Sequence, residues 1–203
     1  MEETRAQKIF TTLYTDVNGF DISNKAAGRQ TMDNRALTYG EVTFEGFGEL
    51  LRDLGPRARG IFYDLGSGTG KAVILAALLG QFSVLVGIEI LPELCAAAQQ
   101  VRGRYRGETD RMVAPLESNP NIFFIPRDLL NYDWSDGDVI FCQTTCFPPP
   151  LMRALEEQLN KLRPGAIILN LTNPLRAPWF WLKYKKDYPF SWGPATVYCY
   201  EKL

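Results

Sequence analysis

A chain of 203 residues, 46% of them hydrophobic, is long and apolar enough to bury the core of one domain, which excludes global disorder. Its 22 Lys+Arg against 23 Asp+Glu leave a formal charge of −1, which argues against a protein held to nucleic acid mainly by charge. The count of His is 0, so histidine triads, dyads, zinc motifs and acid–base catalysis are all excluded.

The longest apolar stretch, Ala72–Leu79, is too short to span a bilayer, and the opening MEETRAQKIF lacks the apolar region of a secretory signal. Cys95, Cys142, Cys146 and Cys199 form no CxxC pair and read as reduced thiols. These features predict an intracellular protein, in cytoplasm or nucleus, with no membrane and no metal.

Residues 1–38 are polar, with turn signals at Asn18-Gly19 and Asp33-Asn34 and no strong periodicity. From Thr43, Phe44, Phe47, Leu50, Leu51 and Leu54 recur at helical spacing until Gly55-Pro56 stops the run. Residues 1–55 are therefore expected to form an N-terminal appendage with a loop and helix, and residues 56–203 the core. On that division, removing residues 1–42 should leave a folded core.

The elements then alternate. Strands are predicted over Ile61–Leu65, Ser83–Ile90, Asn121–Ile125, Asp138–Cys142 and Ala166–Leu171, with helices over Lys71–Leu79, Pro92–Tyr105 and Leu151–Leu162. Ala195–Glu201 alternates like a late antiparallel strand. Arg102-Gly103-Arg104-Tyr105-Arg106 and Lys183-Tyr184-Lys185-Lys186 read as solvated helix faces. Strand–helix alternation of this length predicts an α/β fold: a doubly wound, mostly parallel sheet with helices on both faces.

Asp64-Leu65-Gly66-Ser67-Gly68-Thr69-Gly70-Lys71 follows a predicted strand and opens a predicted helix, where a glycine loop signals ligand binding. Gly66, Gly68 and Gly70 permit positive φ and close backbone approach. Leu65 and Ala72 exclude a P-loop, and Lys71 stands where a dinucleotide fingerprint needs its third glycine. Glu89, closing the next strand, can accept hydrogen bonds from both hydroxyls of a ribose.

An acid before GxGxG, with a second acid ending the following strand, resembles class I S-adenosylmethionine-dependent methyltransferases. The resemblance implies a seven-stranded sheet with S-adenosylmethionine as cofactor. It sets Asp64 near the methionine end, and Asp128 and Leu129 beside the adenine. Leu162-Arg163-Pro164-Gly165 is a turn common in that class. Tyr39-Gly40-Glu41-Val42 with Phe44-Glu45-Gly46-Phe47, the Phe62–Lys71 segment, Val86-Gly87-Ile88-Glu89 and the Val139–Pro149 segment resemble, more closely, the disruptor-of-telomeric-silencing family. Those are the non-SET histone lysine methyltransferases.

By that resemblance Glu41 reaches the cofactor's methionine end from a lid-like loop, and Lys71 belongs with the cofactor-binding residues. Where the family has two asparagines and a phenylalanine after the fourth strand, this chain has Gln143, Thr144 and Thr145, with Phe147 keeping a later aromatic. Members that act on nucleosomes use a basic extension, which this sequence does not show, so strong nucleic-acid binding is not expected. The expected function is S-adenosylmethionine-dependent protein-lysine N-methylation, the partner being a protein with a lysine acceptor. Gln143, Phe147 and Tyr39 are the expected acceptor-side residues, and Trp179 and Trp181 are further available aromatic walls. A same-fold methyltransferase acting on a small molecule or RNA, and a non-catalytic cofactor-binding module, are the alternatives.

Overall fold

The computed structural model describes residues 4–27, 37–110 and 120–203. Asp33-Asn34 lies outside the described residues.

Two short helices come first, α1 (Arg5–Leu13) and α2 (Gly19–Ala27), where the sequence showed only polar character. Their signals lie in the caps. The Thr4 hydroxyl accepts from the Gln7 backbone N–H, and the Asn18 side chain accepts from the Asp21 N–H at 3.1 Å. Asparagine that caps a helix and asparagine that starts a turn use the same side-chain chemistry, so Asn18-Gly19 is the start of α2. Helix α3 (Phe44–Leu54) is capped by Thr43, which accepts from Gly46 N–H at 3.0 Å, and ends at Gly55.

The core follows as β1 (Arg59–Leu65), α4 (Lys71–Leu79), β2 (Gln81–Glu89), α5 (Pro92–Asp110), β3 (Asn121–Pro126), β4 (Val139–Cys142), α6 (Pro149–Leu159), β5 (Ile167–Leu171), β6 (Phe180–Phe190) and β7 (Gly193–Lys202). They build a seven-stranded sheet in the order β3-β2-β1-β4-β5-β7-β6. The β1–β2, β2–β3, β1–β4 and β4–β5 pairs are parallel, and β7 runs antiparallel to both β5 and β6. The chain turns from one side of β1 to the other between β3 and β4. That reversal opens a crevice at the carboxyl ends of β1 and β4, where open α/β sheets bind ligands.

Alternate strand residues feed two cores. Phe62, Leu85, Phe141 and Leu169 pack with α1, α3, α4 and α5, whereas Tyr63, Ile88, Ile140 and Ile168 pack with α6. Ala72 to Ala77 of α4 are all buried, since the sheet lies on one side and α1 and α3 on the other. Ile9, Phe10, Leu13 and Tyr14 belong to the same buried cluster as the central strands. The first helix is therefore part of the core's packing.

Strand β6 carries no sequence signal of its own. Its register shifts between Leu182 and Tyr184, which breaks the alternation, and it forms one edge of the sheet. Lysines and Pro189 are what an edge tolerates. The Lys183–Lys186 run thus lies on an edge strand and not on a helix. Lys183 bonds Glu201 at 2.7 Å, and Lys186 lies 2.7 Å from Asp53 and 2.8 Å from Glu49. Pro149 and Pro150 open α6, where their missing N–H groups cost nothing.

Candidate active site

A cavity of about 250 Å³ fills the crevice, with walls from the ends of β1, β2, β3 and β4 and from the segment before α3. The glycine loop forms its floor. Gly66 N–H and Ser67 N–H donate to the Ile88 carbonyl at 2.8 and 3.0 Å, tying the loop to β2. Gly66 and Gly68 have φ of +86° and +54°. A Cβ on Gly66 would meet nothing within 4 Å, and one on Gly68 would strike the Tyr39 ring at 2.7 Å. Gly70 does not line the cavity. A Cβ there would meet the Phe124 ring at 2.4 Å, and φ is +84°, so this glycine lets the end of the loop pass close beside the Phe124 ring.

Two buried acids differ in their surroundings. Glu89 Oε2 accepts from Gly68 N–H at 2.8 Å, and Oε1 accepts from Leu91 N–H at 2.9 Å. Burial pushes its carboxyl up, and these backbone donors oppose the shift. Asp64, 2% exposed, lines the cavity and receives no hydrogen bond from the described residues. Burial first, and the Glu89 charge second, raise its pKa to about 8. Of the two, Asp64 keeps the proton near neutrality because only Glu89 is stabilised by donors.

Beyond β3, Asp128 Oδ1 accepts from Leu130 N–H at 2.9 Å and so caps the turn Leu129–Asn131. Both Asp128 and Leu129 line the cavity. Sequence reasoning missed Ile90, which follows Glu89, lines the cavity and is 50% exposed. Its signal was an apolar residue directly after the acid that ends a strand, at a position where a core would have covered it.

The segment before α3 closes one side. Glu41 Oε1 accepts from the Tyr39 hydroxyl at 2.7 Å, and Oε2 pairs with Lys71 Nζ at 2.6 Å. The Tyr39 hydroxyl also lies 3.1 Å from Thr69 Oγ1. Glu41 N–H donates to Ser191 Oγ at 3.1 Å, Ser191 N–H donates to the Glu41 carbonyl at 3.0 Å, and Val42 bridges Phe190. The tip of the β6–β7 hairpin therefore straps this segment in place.

Gln143, Phe147 and Leu151 also line the cavity. The threonines beside them anchor that loop to β5. Thr144 Oγ1 donates to the Leu171 carbonyl at 2.6 Å, and Thr145 Oγ1 lies 2.9 Å from Thr172 Oγ1. Thr172 has φ of +65°, a costly conformation for a β-branched residue. Trp179 and Trp181 are not walls of this cavity: Trp179 packs beside the second core, and Trp181 is exposed on β6. Among the described residues no group of three or more Cys, Asp or Glu could hold a metal ion, and no helix is long and apolar enough to cross a membrane.

A family model described as histone methylation protein DOT1 matches residues 29–185. A histone-lysine N-methyltransferase, H3 lysine-79 specific, from Kluyveromyces lactis is 25% identical over 151 residues, covering 73% of this chain and 26% of that protein. One of the same description from Eremothecium gossypii is 29% identical over 119 residues, 56% of this chain and 20% of the relative. The chain thus spans about a quarter or less of the length of these relatives. Among solved structures, an RNA methyltransferase from Salinibacter ruber in complex with S-adenosyl-L-homocysteine is 25% identical, with a TM-score of 0.56 over 78% of this chain and 89% of that one.

Proposed function

The chain belongs to the DOT1 histone methylation family, and from that premise we propose that it is an S-adenosylmethionine-dependent protein-lysine N-methyltransferase whose active site is the cavity at the ends of β1 and β4. The observation that carries this reading is the convergence on one cavity of Asp64 with its glycine loop, Glu89, Asp128 and Glu41 from four separate places in the chain. The surfaces fit an adenosyl group with a charged tail. Gly66 leaves room where any side chain would intrude, Asp64 offers a carboxyl with no donor among the described residues, and Ile90 and Leu129 offer apolar surface.

Each Glu89 oxygen has a second lone pair, so the carboxylate can take ribose hydroxyls while keeping its backbone donors. Asp128 can accept from the adenine amine beside Leu129 and Ile90. Asp64 and Glu41 suit the ammonium of the tail, and Lys71 suits its carboxylate. When bound, S-adenosylmethionine supplies an electrophilic methyl on a cationic sulfonium. The protein's own task is to hold the acceptor nitrogen in line and exclude water. A lysine ammonium, with an ordinary pKa of about 10.4, must first lose a proton. Phe147 and Leu151 strip water from it, which lowers that pKa, and the Gln143 carbonyl can accept from the resulting amine.

Two expectations follow from these roles. Cofactor binding should become tighter from about pH 6 to about pH 8 and then level off, because Asp64 must release its proton to meet a cationic tail. Calorimetry in two buffers of different ionisation enthalpy should show a proton released on binding, and Asp64→Asn should abolish that release. The same raised pKa makes the ligand-free fold lose stability as pH rises from about 4 to about 8. Across that window the folded protein holds a proton that the unfolded chain has given up.

Phe147→Ala should lower methyl transfer at least about tenfold, near 1.4 kcal/mol of barrier, and leave cofactor affinity within about threefold. Phe147 is half-buried against the second core. A variant that melts early, while its folded fraction transfers methyl groups normally, would make Phe147 a packing residue. The proposed function itself is tested by offering labelled S-adenosylmethionine with histones, a wider protein panel, RNA and metabolite extract. Label confined to protein is expected, and label confined to RNA or small molecules would overturn the reading.

A further inference from the structure

We propose that Tyr14 is a positioning residue for the cofactor site: its ring face holds the Lys71 ammonium against the cavity, so that the site reads the amino-acid tail of its ligand. The inference rests on the methyltransferase reading and adds to it a residue from outside the cavity. Tyr14 follows the last residue of α1 and is 8% exposed. Its hydroxyl donates to the Thr69 carbonyl at 3.2 Å, across 55 residues of chain, and Lys71 Nζ lies 5.2 Å from its ring centroid. The Phe10 ring, 5.0 Å away and tilted by 47°, packs against Tyr14. Burial holds the Tyr14 phenol well above its ordinary pKa, so it remains a hydroxyl donor.

The Lys71–Glu41 pair lines the cavity with an ammonium beside a carboxylate. That is the image of a zwitterion, and an amino-acid tail carries the complementary pair. When a tail enters, its carboxylate takes Lys71 and its ammonium takes Glu41, so the protein's own pair opens. Lys71 then has a flexible four-carbon stem and, among the described residues, no second ion-pair partner to fix it. The Tyr14 face is the contact that stays. It neutralises no charge, so it holds the cation without competing for the ligand's carboxylate. The Glu41 carboxylate lies near the ring, and its negative potential also favours a cation at this point.

The test compares two ligands. S-adenosylhomocysteine carries the tail, and 5′-methylthioadenosine has the adenosine and thioether without it. Tyr14→Leu should bind S-adenosylhomocysteine about three- to thirtyfold more weakly, the range of one partly desolvated cation–π contact, and bind methylthioadenosine within about twofold of the original protein. Tyr14→Phe, which keeps the ring, should stay within about threefold for both ligands. Tyr14→trifluorophenylalanine keeps the ring's shape and drains its negative face, so it should show the same selective loss even where Tyr14→Leu fails to fold. Equal weakening of both ligands, or no weakening of either, overturns the role of Tyr14. An unaltered protein that binds neither ligand overturns the methyltransferase reading instead.

Discussion

Glu89→Ala is expected to weaken S-adenosylhomocysteine binding about ten- to hundredfold and to lower the melting temperature in the same variant. The first effect is the loss of charge-assisted hydrogen bonds to ribose, worth roughly 1.5–3 kcal/mol. The second comes from the protein itself. Gly68 N–H and Leu91 N–H both donate to this carboxylate, so alanine leaves two backbone donors without their acceptor, at about 1–3 kcal/mol each where they stay dry. Calorimetry reads the affinity and scanning calorimetry the stability. Unchanged affinity would reject the ribose role, and an unchanged melting temperature would reject Glu89 as the anchor of the loop.

Removing residues 1–42 is expected to abolish cooperative folding. The deletion takes Ile9, Phe10, Leu13, Tyr14 and Val42 out of the buried cluster that contains Phe47, Phe62 and Phe141. Five buried apolar side chains at about 1.5–3 kcal/mol each amount to on the order of 10 kcal/mol. A domain of this kind is stable by only about 5–15 kcal/mol. Denaturant unfolding of residues 43–203 should show no sigmoidal transition. A transition at the midpoint of the full chain would mean that the first 42 residues are a detachable appendage after all.

What could be read from the sequence follows the physics of each element. Strands β1, β2, β4 and β5 are buried on both faces and appear as short apolar runs. Ala72 to Ala77 of helix α4 are all buried and appear as an unbroken one. The glycine loop and the acids at Asp64 and Glu89 stand out because their backbone and charge requirements are local. Helices α1 and α2 were illegible because each is nine residues long, with too few apolar positions to establish a period. Strand β6 was illegible because a bulge and its edge position replace alternation by lysines.

At the site, side chains local to a motif were easier to read than those brought in by tertiary structure. Tyr39, Glu41, Gln143 and Phe147 reach one cavity. That the Ser191 loop straps Glu41, or that Tyr14 reaches the Thr69 carbonyl beside Lys71, depends on contacts 150 and 55 residues apart, which no window of sequence contains. Gly70 illustrates the converse: its place in the motif suggested the ligand, and its surroundings show a packing requirement.

The most direct measurement is the chemical identity of the methylated atom. The protein is incubated with methyl-labelled S-adenosylmethionine and histones, the modified protein is hydrolysed to amino acids, and the labelled species is identified. Label recovered as N-methyl-lysine, and lost when Glu89 is replaced by alanine, is the expected result. Label recovered on any other amino acid, or no transfer by a protein that binds the cofactor, would contradict a lysine methyltransferase.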